Sequence, residues 1–262
     1  MKRKGELKMK HNRKNTENSS DLNNEKVGRK ITLLVLLSLL MPTLAGAVIG
    51  VGEIKNQVAV YLIQFIAIFV GCLILIGIIK KSSFTFNDIG FRAGRVGKWI
   101  IGIVVIEAVA FTAGVNLEMD LNTIGALVLF MVSVGFFEEI IYRGLILQYL
   151  NRRSTKIAIF LSTALFGVGH IVNLLGGAEL KATLVQIVFA MLFGFVCAEV
   201  VFLTNSIVIG IVWHSIHNII SQLTATPSSE LEFIIITVQC IILAALGYVF
   251  WCRLKLEHTN AL

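Results

Sequence analysis

The amino-acid sequence predicts an all-α polytopic membrane protein, a transmembrane bundle of about eight helices. Of its 262 residues, 56% are hydrophobic and 15% are charged, which is more apolar surface than a water-soluble domain of this size can bury. The apolar residues form long runs that contain only two prolines and lack the alternation of membrane strands, which favours helices over a β-barrel.

Eight apolar runs approach the length of about 20 residues that a helix needs to cross a bilayer. They lie at residues 31–50, 57–79, 99–116, 123–149, 157–175, 182–204, 206–223 and 233–252. In the first run, Ala45-Gly46-Ala47 resembles a signal-peptide cleavage site. The long basic leader and the apolar continuation through Val51 favour a retained membrane anchor, with cleavage as the alternative.

Residues 1–30 precede the first run and are strongly polar and basic. They hold ten of the 23 Lys and Arg residues in a chain of net charge +7. So polar a segment cannot build a core, and we expect a disordered cytoplasmic tail. Such tails are typical of topogenic or anionic-lipid-facing segments, so we expect membrane lipid, and no nucleic acid, among the partners. Residues 31–256 would then form a single transmembrane helical domain.

The distribution of basic residues predicts that both termini lie in the cytoplasm. With eight spans and an inside N-terminus, twenty of the 23 Lys and Arg residues fall in cytoplasmic segments. Only Lys55 and Lys181 fall in outside loops, which are otherwise acidic, and Arg143 lies within a span. The longest internal loop, residues 81–98, is expected to lie on the cytoplasmic face as an amphipathic segment.

Three polar clusters interrupt the fourth, fifth and seventh apolar runs. They are Glu138-Glu139-xxx-Arg143, Phe166-xxx-His170 and His214-xxx-Asn218. Ionisable side chains inside a membrane cost several kcal/mol each and are rare there without a function. Counted from the ends of the runs, the three clusters fall near mid-membrane, towards the cytoplasmic side. We therefore expect them to form one buried site.

Helical spacing separates the roles of the two glutamates. Glu139 and Arg143 are four residues apart, so they can form an ion pair on one helix face, which a buried arginine requires. Glu138 points about 100° away from that face and is free for chemistry. His214 and Asn218 are also four residues apart and can project to one point.

A glutamate and two histidines in a buried site indicate activation of water. Glu138 can act as the general base, and His214 with Asn218 can donate hydrogen bonds to a developing oxyanion. No serine lies in the context of a nucleophile elbow. The residues therefore predict hydrolysis of an amide bond without a covalent nucleophile.

In these three clusters the chain resembles the CAAX protease and bacteriocin-processing (CPBP) family of intramembrane glutamate proteases, also called the Abi family. The family pattern is EExxxR, then FxxxH, then HxxxN, and the chain matches it in order at every position. The resemblance covers roughly residues 95–225. Each motif is weak alone, but three in order, each within a predicted span, are specific.

The resemblance implies an eight-helix fold and a metal-independent endopeptidase that needs no cofactor. By carry-over, Glu138 would activate water, His170 would help to hold it, and His214 with Asn218 would stabilise the oxyanion. The residues that would order the site are Glu139, Arg143 and Phe166.

The family also implies a peptide or protein substrate associated with the membrane. Eukaryotic members cleave prenylated CAAX proteins, whereas bacterial members are linked to processing of peptide pheromones and bacteriocins or to self-immunity. A small chain with a basic cytoplasmic tail suits the bacterial group, so a bacterial cell membrane is the expected location. Nothing in the sequence predicts an oligomeric state.

Three other functions use the same residue types. Two histidines and a glutamate can ligate zinc, so a zinc-dependent membrane peptidase is the chemical alternative, although the sequence contains no HExxH motif. A non-catalytic membrane scaffold or immunity protein would keep the motifs for partner binding. A proton-coupled transporter could use buried Glu, His and Arg, although the chain shows no inverted repeat.

Four polar residues in apolar runs lie outside the roles that the motifs assign. Glu107 should face the bundle interior and pair with Arg143 or a histidine, because an unpaired glutamate facing lipid is implausible. His217 could join the site or stabilise helix packing. Glu199 is expected near enough to the membrane interface to stay hydrated, and Tyr142 is expected to face lipid or to pack.

Overall fold

The computed structural model of the protein describes the backbone of residues 2–260 and the side chains of residues 25–256. Over this range the chain forms eight consecutive helices, and one β-bridge joins two loops. The helices are α1 Lys2–Val51, α2 Gln57–Lys81, α3 Ile100–Ala113, α4 Leu121–Asn151, α5 Thr155–Gly176, α6 Leu180–Thr204, α7 Val208–Leu223 and α8 Ser229–Asn260. The all-α prediction is thereby confirmed. Most of the tail of residues 1–30 lies outside the described side chains, so its disorder and the division into tail and domain stay predictions.

Six of the described helices are long and apolar enough to cross a membrane, which makes the chain an integral membrane protein. α3 and α7 are shorter than the apolar runs that predicted them. Gly114, with a φ of +87°, turns the chain after α3, and the hydroxyl of Ser206 accepts a hydrogen bond from the N–H of Val208 where α7 begins. The 16 residues of α7 are about 24 Å long, which is less than a hydrocarbon core of about 30 Å.

α4 packs between α2 and α7, and this arrangement positions the polar clusters. Where α4 meets α7, a Cβ atom at Gly135 would lie only 3.0 Å from the backbone nitrogen of Ser215. Because glycine lacks that atom, the two backbones approach closely. One turn further along α4, Glu138 and Glu139 therefore both face His214 of α7.

The middle of α4 is not a regular α-helix. Residues Ile140–Ile146 form a π-helical segment, after which the N–H of Leu147 donates to the carbonyl oxygen of Tyr142, five residues earlier. All seven residues of the segment are buried. The segment begins directly after Glu139, and π-helical turns of this kind are frequent at functional sites.

Alternate loops lie at opposite ends of the bundle. The basic end holds residues 82–99, 152–154 and 205–207, together with most of the Lys and Arg residues that follow α1. These loops contact one another, because Arg92 Nε donates to the carbonyl oxygen of Asn205 at 2.7 Å and Arg152 donates to Ser83 Oγ at 3.1 Å. The acidic end holds residues 52–56, 114–120, 177–179 and 224–228, with Glu53, Glu118, Asp120 and Glu179.

Candidate active site

The four residues expected to be catalytic, Glu138, His170, His214 and Asn218, line one cavity of about 330 Å³. The walls of this cavity come from α1, α2, α4, α5, α6 and α7. Phe166, one of the residues expected to order the site, also lines it. The three sequence motifs, which are up to 80 residues apart in the chain, therefore meet in space.

His214 lies between the two glutamates of α4. Its Nε2 atom is 3.7 Å from Oε2 of Glu138, and its Nδ1 atom is 3.1 Å from Oε1 of Glu139. An ionised carboxylate can only accept a hydrogen bond, so the proton of a neutral His214 lies on Nδ1. Nε2 is then left facing Glu138 and the cavity.

Glu139 and Arg143 form the buried ion pair that their spacing predicts. Oε1 of Glu139 lies 3.2 Å from Nη1 of Arg143, and neither side chain has exposed surface. The contact has the distance of an ion pair but not the angles of a good hydrogen bond, and the guanidinium nitrogens have no hydrogen-bond partner among the described residues. The guanidinium instead lies over the ring of Phe166, 4.2 Å from its centroid. A cation–π contact thus adds to the ion pair in stabilising this charge.

Two glycines on neighbouring helices make room for the pair. A Cβ atom at Gly194 of α6 would lie 2.7 Å from Nη2 of Arg143, and one at Gly210 of α7 would lie 3.1 Å from Oε2 of Glu139. Both helices therefore approach the charged groups at positions without a side chain. The pair is enclosed by packing on two sides, which fixes the carboxylate that holds His214.

His170 and Asn218 complete the polar lining of the cavity. Nδ1 of His170 lies 3.1 Å from the carbonyl oxygen of Phe166, so it donates to that carbonyl and leaves Nε2 free. His170 begins the 3₁₀ segment His170–Gly176 at the end of α5. Asn218 follows His214 by one turn of α7 and lines the same cavity.

Helix α1 contributes residues to the cavity that the motifs do not reveal. Ser38, Leu39 and Pro42 line it, and the hydroxyl of Ser38 is hydrogen-bonded to the hydroxyl of Tyr142 at 2.9 Å. Tyr142 is 2% exposed and also lines the cavity, so the expectation that it faces lipid is wrong and that of packing is confirmed. The sequence signal that could have indicated this contact is the presence of the polar residues Ser38 and Tyr142 inside apolar runs.

Glu107 pairs with two residues of α7 behind the cavity. Trp213 Nε1 donates to Glu107 Oε1 at 2.8 Å, and Nδ1 of His217 lies 3.2 Å from each carboxylate oxygen. The prediction that Glu107 faces the interior and meets a histidine is confirmed. His217 also stacks on Phe189, with ring centroids 5.0 Å apart, so it joins helix packing instead of the cavity lining.

Glu199 of α6 differs from its expected environment. Its side chain exposes no surface, and neither carboxyl oxygen has a hydrogen-bond partner among the described residues. The prediction that it stays hydrated is therefore wrong. It faces α8, where a Cβ atom at Gly247 would lie 3.6 Å from its Oε2.

Comparison with known proteins gives one finding for this region. The family model of type II CAAX prenyl endopeptidase Rce1-like proteins matches residues 120–220, which run from the start of α4 almost to the end of α7 and include all three motifs. No match is found among curated proteins. The family match agrees with the resemblance of the motifs and supports a membrane protease of CAAX type in general. The resemblance to the CAAX protease family is thereby confirmed, and residues 120–220 of this chain form an Rce1-like region.

Proposed function

We propose that the protein is an intramembrane endopeptidase that hydrolyses a peptide bond with a water molecule activated by Glu138. The single observation that carries the proposal is that Glu138 Oε2 lies 3.7 Å from His214 Nε2 in a cavity also lined by His170 and Asn218. A carboxylate, two imidazoles and a carboxamide thereby surround one space in which water and a peptide carbonyl could meet.

The proposed reaction adds the oxygen of water to the peptide carbonyl carbon while Glu138 accepts the proton. His170, with Nε2 free, helps to hold the water. Asn218 donates from its amide to the oxyanion. Glu138 then passes the proton to the leaving amine as the C–N bond breaks, which restores the carboxylate.

His214 can donate from Nε2 to the oxyanion only when its imidazole is protonated. The carboxylate of Glu139 at Nδ1 fixes the orientation of the ring. Glu139 and Arg143 thereby act on the reaction through His214, and Phe166 acts by its contact with the guanidinium. These three are positioning residues in the proposed mechanism.

The proposed substrate is a membrane-associated peptide or protein. The cavity combines the polar residues with apolar walls that include Ile68, Phe130 and Met131. Such walls suit an apolar side chain or a lipid group beside the scissile bond. A bacteriocin or pheromone precursor and a CAAX-like protein both have this character.

The test compares the peptides in membranes that contain the wild type with those that contain Glu138→Gln. We expect fragments that occur only with the wild type, at equal amounts of the two proteins. The matched control is Glu118→Gln, which changes an exposed loop carboxylate and should leave the fragments in place. A peptide profile that is identical for wild type and Glu138→Gln would overturn the proposal and favour a scaffold or immunity protein, whose phenotype would survive the substitution.

The zinc-dependent alternative makes a different prediction for the same fragments. Among the described residues, no group of three His, Cys, Asp or Glu side chains is placed to hold a metal ion. We expect the Glu138-dependent cleavage to persist after extraction with a zinc chelator. Loss of cleavage in chelator, with recovery on adding zinc alone, would assign the reaction to a metallopeptidase instead.

A further inference from the structure

The polar mouth of the cavity lies at the acidic end of the bundle. The lining residues Asn173, Gln186, Ser221 and Gln222 all lie near helix termini at that end, on α5, α6 and α7. Gln186, Ser221 and Gln222 are exposed. Nδ2 of Asn173 donates to Oε1 of Gln186 at 2.7 Å, which links α5 to α6 beside the opening.

The rim of this mouth is held by backbone hydrogen bonds between two loops. The N–H of Asn116 donates to the carbonyl oxygen of Leu223 at 2.8 Å, and the N–H of Ala225 donates to the carbonyl oxygen of Gly114 at 3.0 Å. These bonds tie the end of α7 to the loop between α3 and α4. The opening therefore has a fixed border on the side of Ser221 and Gln222.

Several packed layers separate the cavity from the basic end. Directly beneath the site lie the buried Glu139–Arg143 pair and the π-helical segment Ile140–Ile146. Below them Ile89, from the loop of residues 82–99, is fully buried, and a Cβ atom at Gly144 would lie 3.5 Å from it.

That loop is fixed beneath the site by polar contacts. The N–H of Ile207 donates to the carbonyl oxygen of Gly90 at 2.8 Å, and Arg92 Nε donates to the carbonyl oxygen of Asn205 at 2.7 Å. The residues on the basic side of the site are therefore buried and tightly packed, and they form a closed floor of the cavity. The lining residues on the acidic side are polar, and most of them are exposed.

We propose that the cavity is reached from the acidic end, which faces away from the cytoplasm. The basic end holds the loops rich in Lys and Arg, and such loops stay on the cytoplasmic side of a membrane. The sequence alone places the clusters towards the cytoplasmic side, whereas the lining of the cavity extends from them to Asn173, Gln186 and Gln222 near the other end.

The consequence for the substrate rests on the proposed function. The scissile bond belongs to a peptide segment presented at the extracytoplasmic side of the membrane, such as an exported or translocating peptide. The neutral carboxamides of Asn173, Gln186 and Gln222 at the mouth can donate and accept hydrogen bonds with a peptide backbone. A cytoplasmic protein tail would meet the closed floor instead.

The test measures from which side water-soluble reagents reach the cavity, and it needs no substrate. Val134, which lines the cavity, and Gln222, at its mouth, are each replaced by cysteine in the full chain. Intact cells and inverted membrane vesicles are treated with a membrane-impermeant methanethiosulfonate, and labelling is compared with that of the parent chain, which keeps its four cysteines. Glu118→Cys at the acidic end and Arg153→Cys at the basic end are the matched controls for sidedness.

We expect Val134→Cys and Gln222→Cys to be labelled several-fold above the parent chain in intact cells, as Glu118→Cys is, whereas Arg153→Cys is labelled only in inverted vesicles. Labelling of Val134→Cys only in inverted vesicles overturns the proposal. Absence of labelling of Val134→Cys in both preparations also overturns it, because the cavity then has no aqueous opening at the acidic end.

The same measurement in a Glu138→Gln background separates this inference from the proposed function. Labelling requires only access, so it should be unchanged by that substitution. A chain that is labelled as expected but yields no Glu138-dependent fragments would retain the access route and lose the protease assignment.

Discussion

The Nδ1 atom of His214 lies 3.1 Å from Oε1 of Glu139, while its Nε2 atom faces Glu138 at 3.7 Å. Two adjacent glutamates of one helix thus contact the two nitrogens of one imidazole. Glu139 is fully buried with Arg143, whereas the side chain of Glu138 is 23% exposed and lines the cavity. The environments of the two carboxylates differ enough for their substitution to have different effects.

Replacement of Glu139 by Gln is expected to destabilise the protein. It leaves the guanidinium of Arg143 buried without its charge partner, and breaking a buried pair in this way costs about 3–5 kcal/mol. The measurement is thermal unfolding in detergent. Glu138→Gln is the control, and it should abolish cleavage. Its unfolding temperature should stay within about 2 °C of the wild type, because the Glu138 carboxylate is not the charge partner of the buried Arg143. Equal unfolding temperatures for Glu139→Gln and Glu138→Gln would contradict this division of roles.

Replacement of Glu107 by Ala is expected to slow cleavage although Glu107 does not line the cavity. The substitution removes the acceptor for Trp213 Nε1 and the partner of His217, which lie on either side of His214 along α7. We expect a fall in kcat of about tenfold, worth about 1.4 kcal/mol, with little change in KM.

Glu107→Gln serves as the rescue variant for this prediction. Its amide oxygen can still accept the hydrogen bond from Trp213, so we expect it to recover much of the rate. Glu118→Ala, in an exposed loop, is the matched control and should cleave at the wild-type rate. If Glu107→Ala and Glu107→Gln lose the rate equally, the hydrogen bond to Trp213 is not what positions α7.

Replacement of Gly194 by Ala is expected to disturb the buried charge pair. The added methyl group would lie 2.7 Å from Nη2 of Arg143 and 3.0 Å from Cδ1 of Phe166, both of which are held by packing. Overpacking of this kind costs about 1–3 kcal/mol, which we expect to see as a lower unfolding temperature. The control is Gly77→Ala in α2, where nothing lies within 4 Å of the added atom, so its helix propensity should leave stability unchanged or raise it. The idea fails if the two variants unfold at the same temperature.

Replacement of Glu199 by Leu is expected to stabilise the protein. A buried carboxyl group without hydrogen-bond partners loses its hydration on folding and gains nothing in return among the described residues. Leucine removes that cost, and we expect a gain of about 1 kcal/mol in thermal unfolding. Glu118→Leu, at an exposed position, controls for the general effect of an added leucine. A clear loss of stability in Glu199→Leu would show that the carboxyl group has a partner or a role in the native membrane.

The helical bundle and the meeting of the motifs could be predicted because both depend on local patterns. Long apolar runs define membrane helices, and four-residue spacing defines which side chains share a face, as in the Glu139–Arg143 pair. The partner class of Glu107 could also be predicted, since a buried carboxylate needs a donor and the apolar runs contain histidines that can donate.

The remaining features depend on packing between helices that are distant in the chain. The position of His214 between two glutamates results from the close approach at Gly135, and the contribution of Ser38 results from the contact of α1 with Tyr142. Hydropathy alone could not separate α3 from a longer span, because the apolar residue Val115 follows the turn at Gly114. The burial of Glu199 likewise follows from the packing of α6 on α8.

The π-helical segment Ile140–Ile146 contains one more residue than the α-helical stretch it replaces. Deletion of Leu145 or Ile146, which follow the motif residue Arg143, would restore a continuous α-helix, and the side chains after the deletion would then turn by about 100° relative to Glu138 and Glu139. The orientation of the second half of α4 relative to Glu138 and Glu139 thus depends on the presence of one residue. Such a deletion would change the packing of the second half of α4 against its neighbouring helices while every motif residue stays in place.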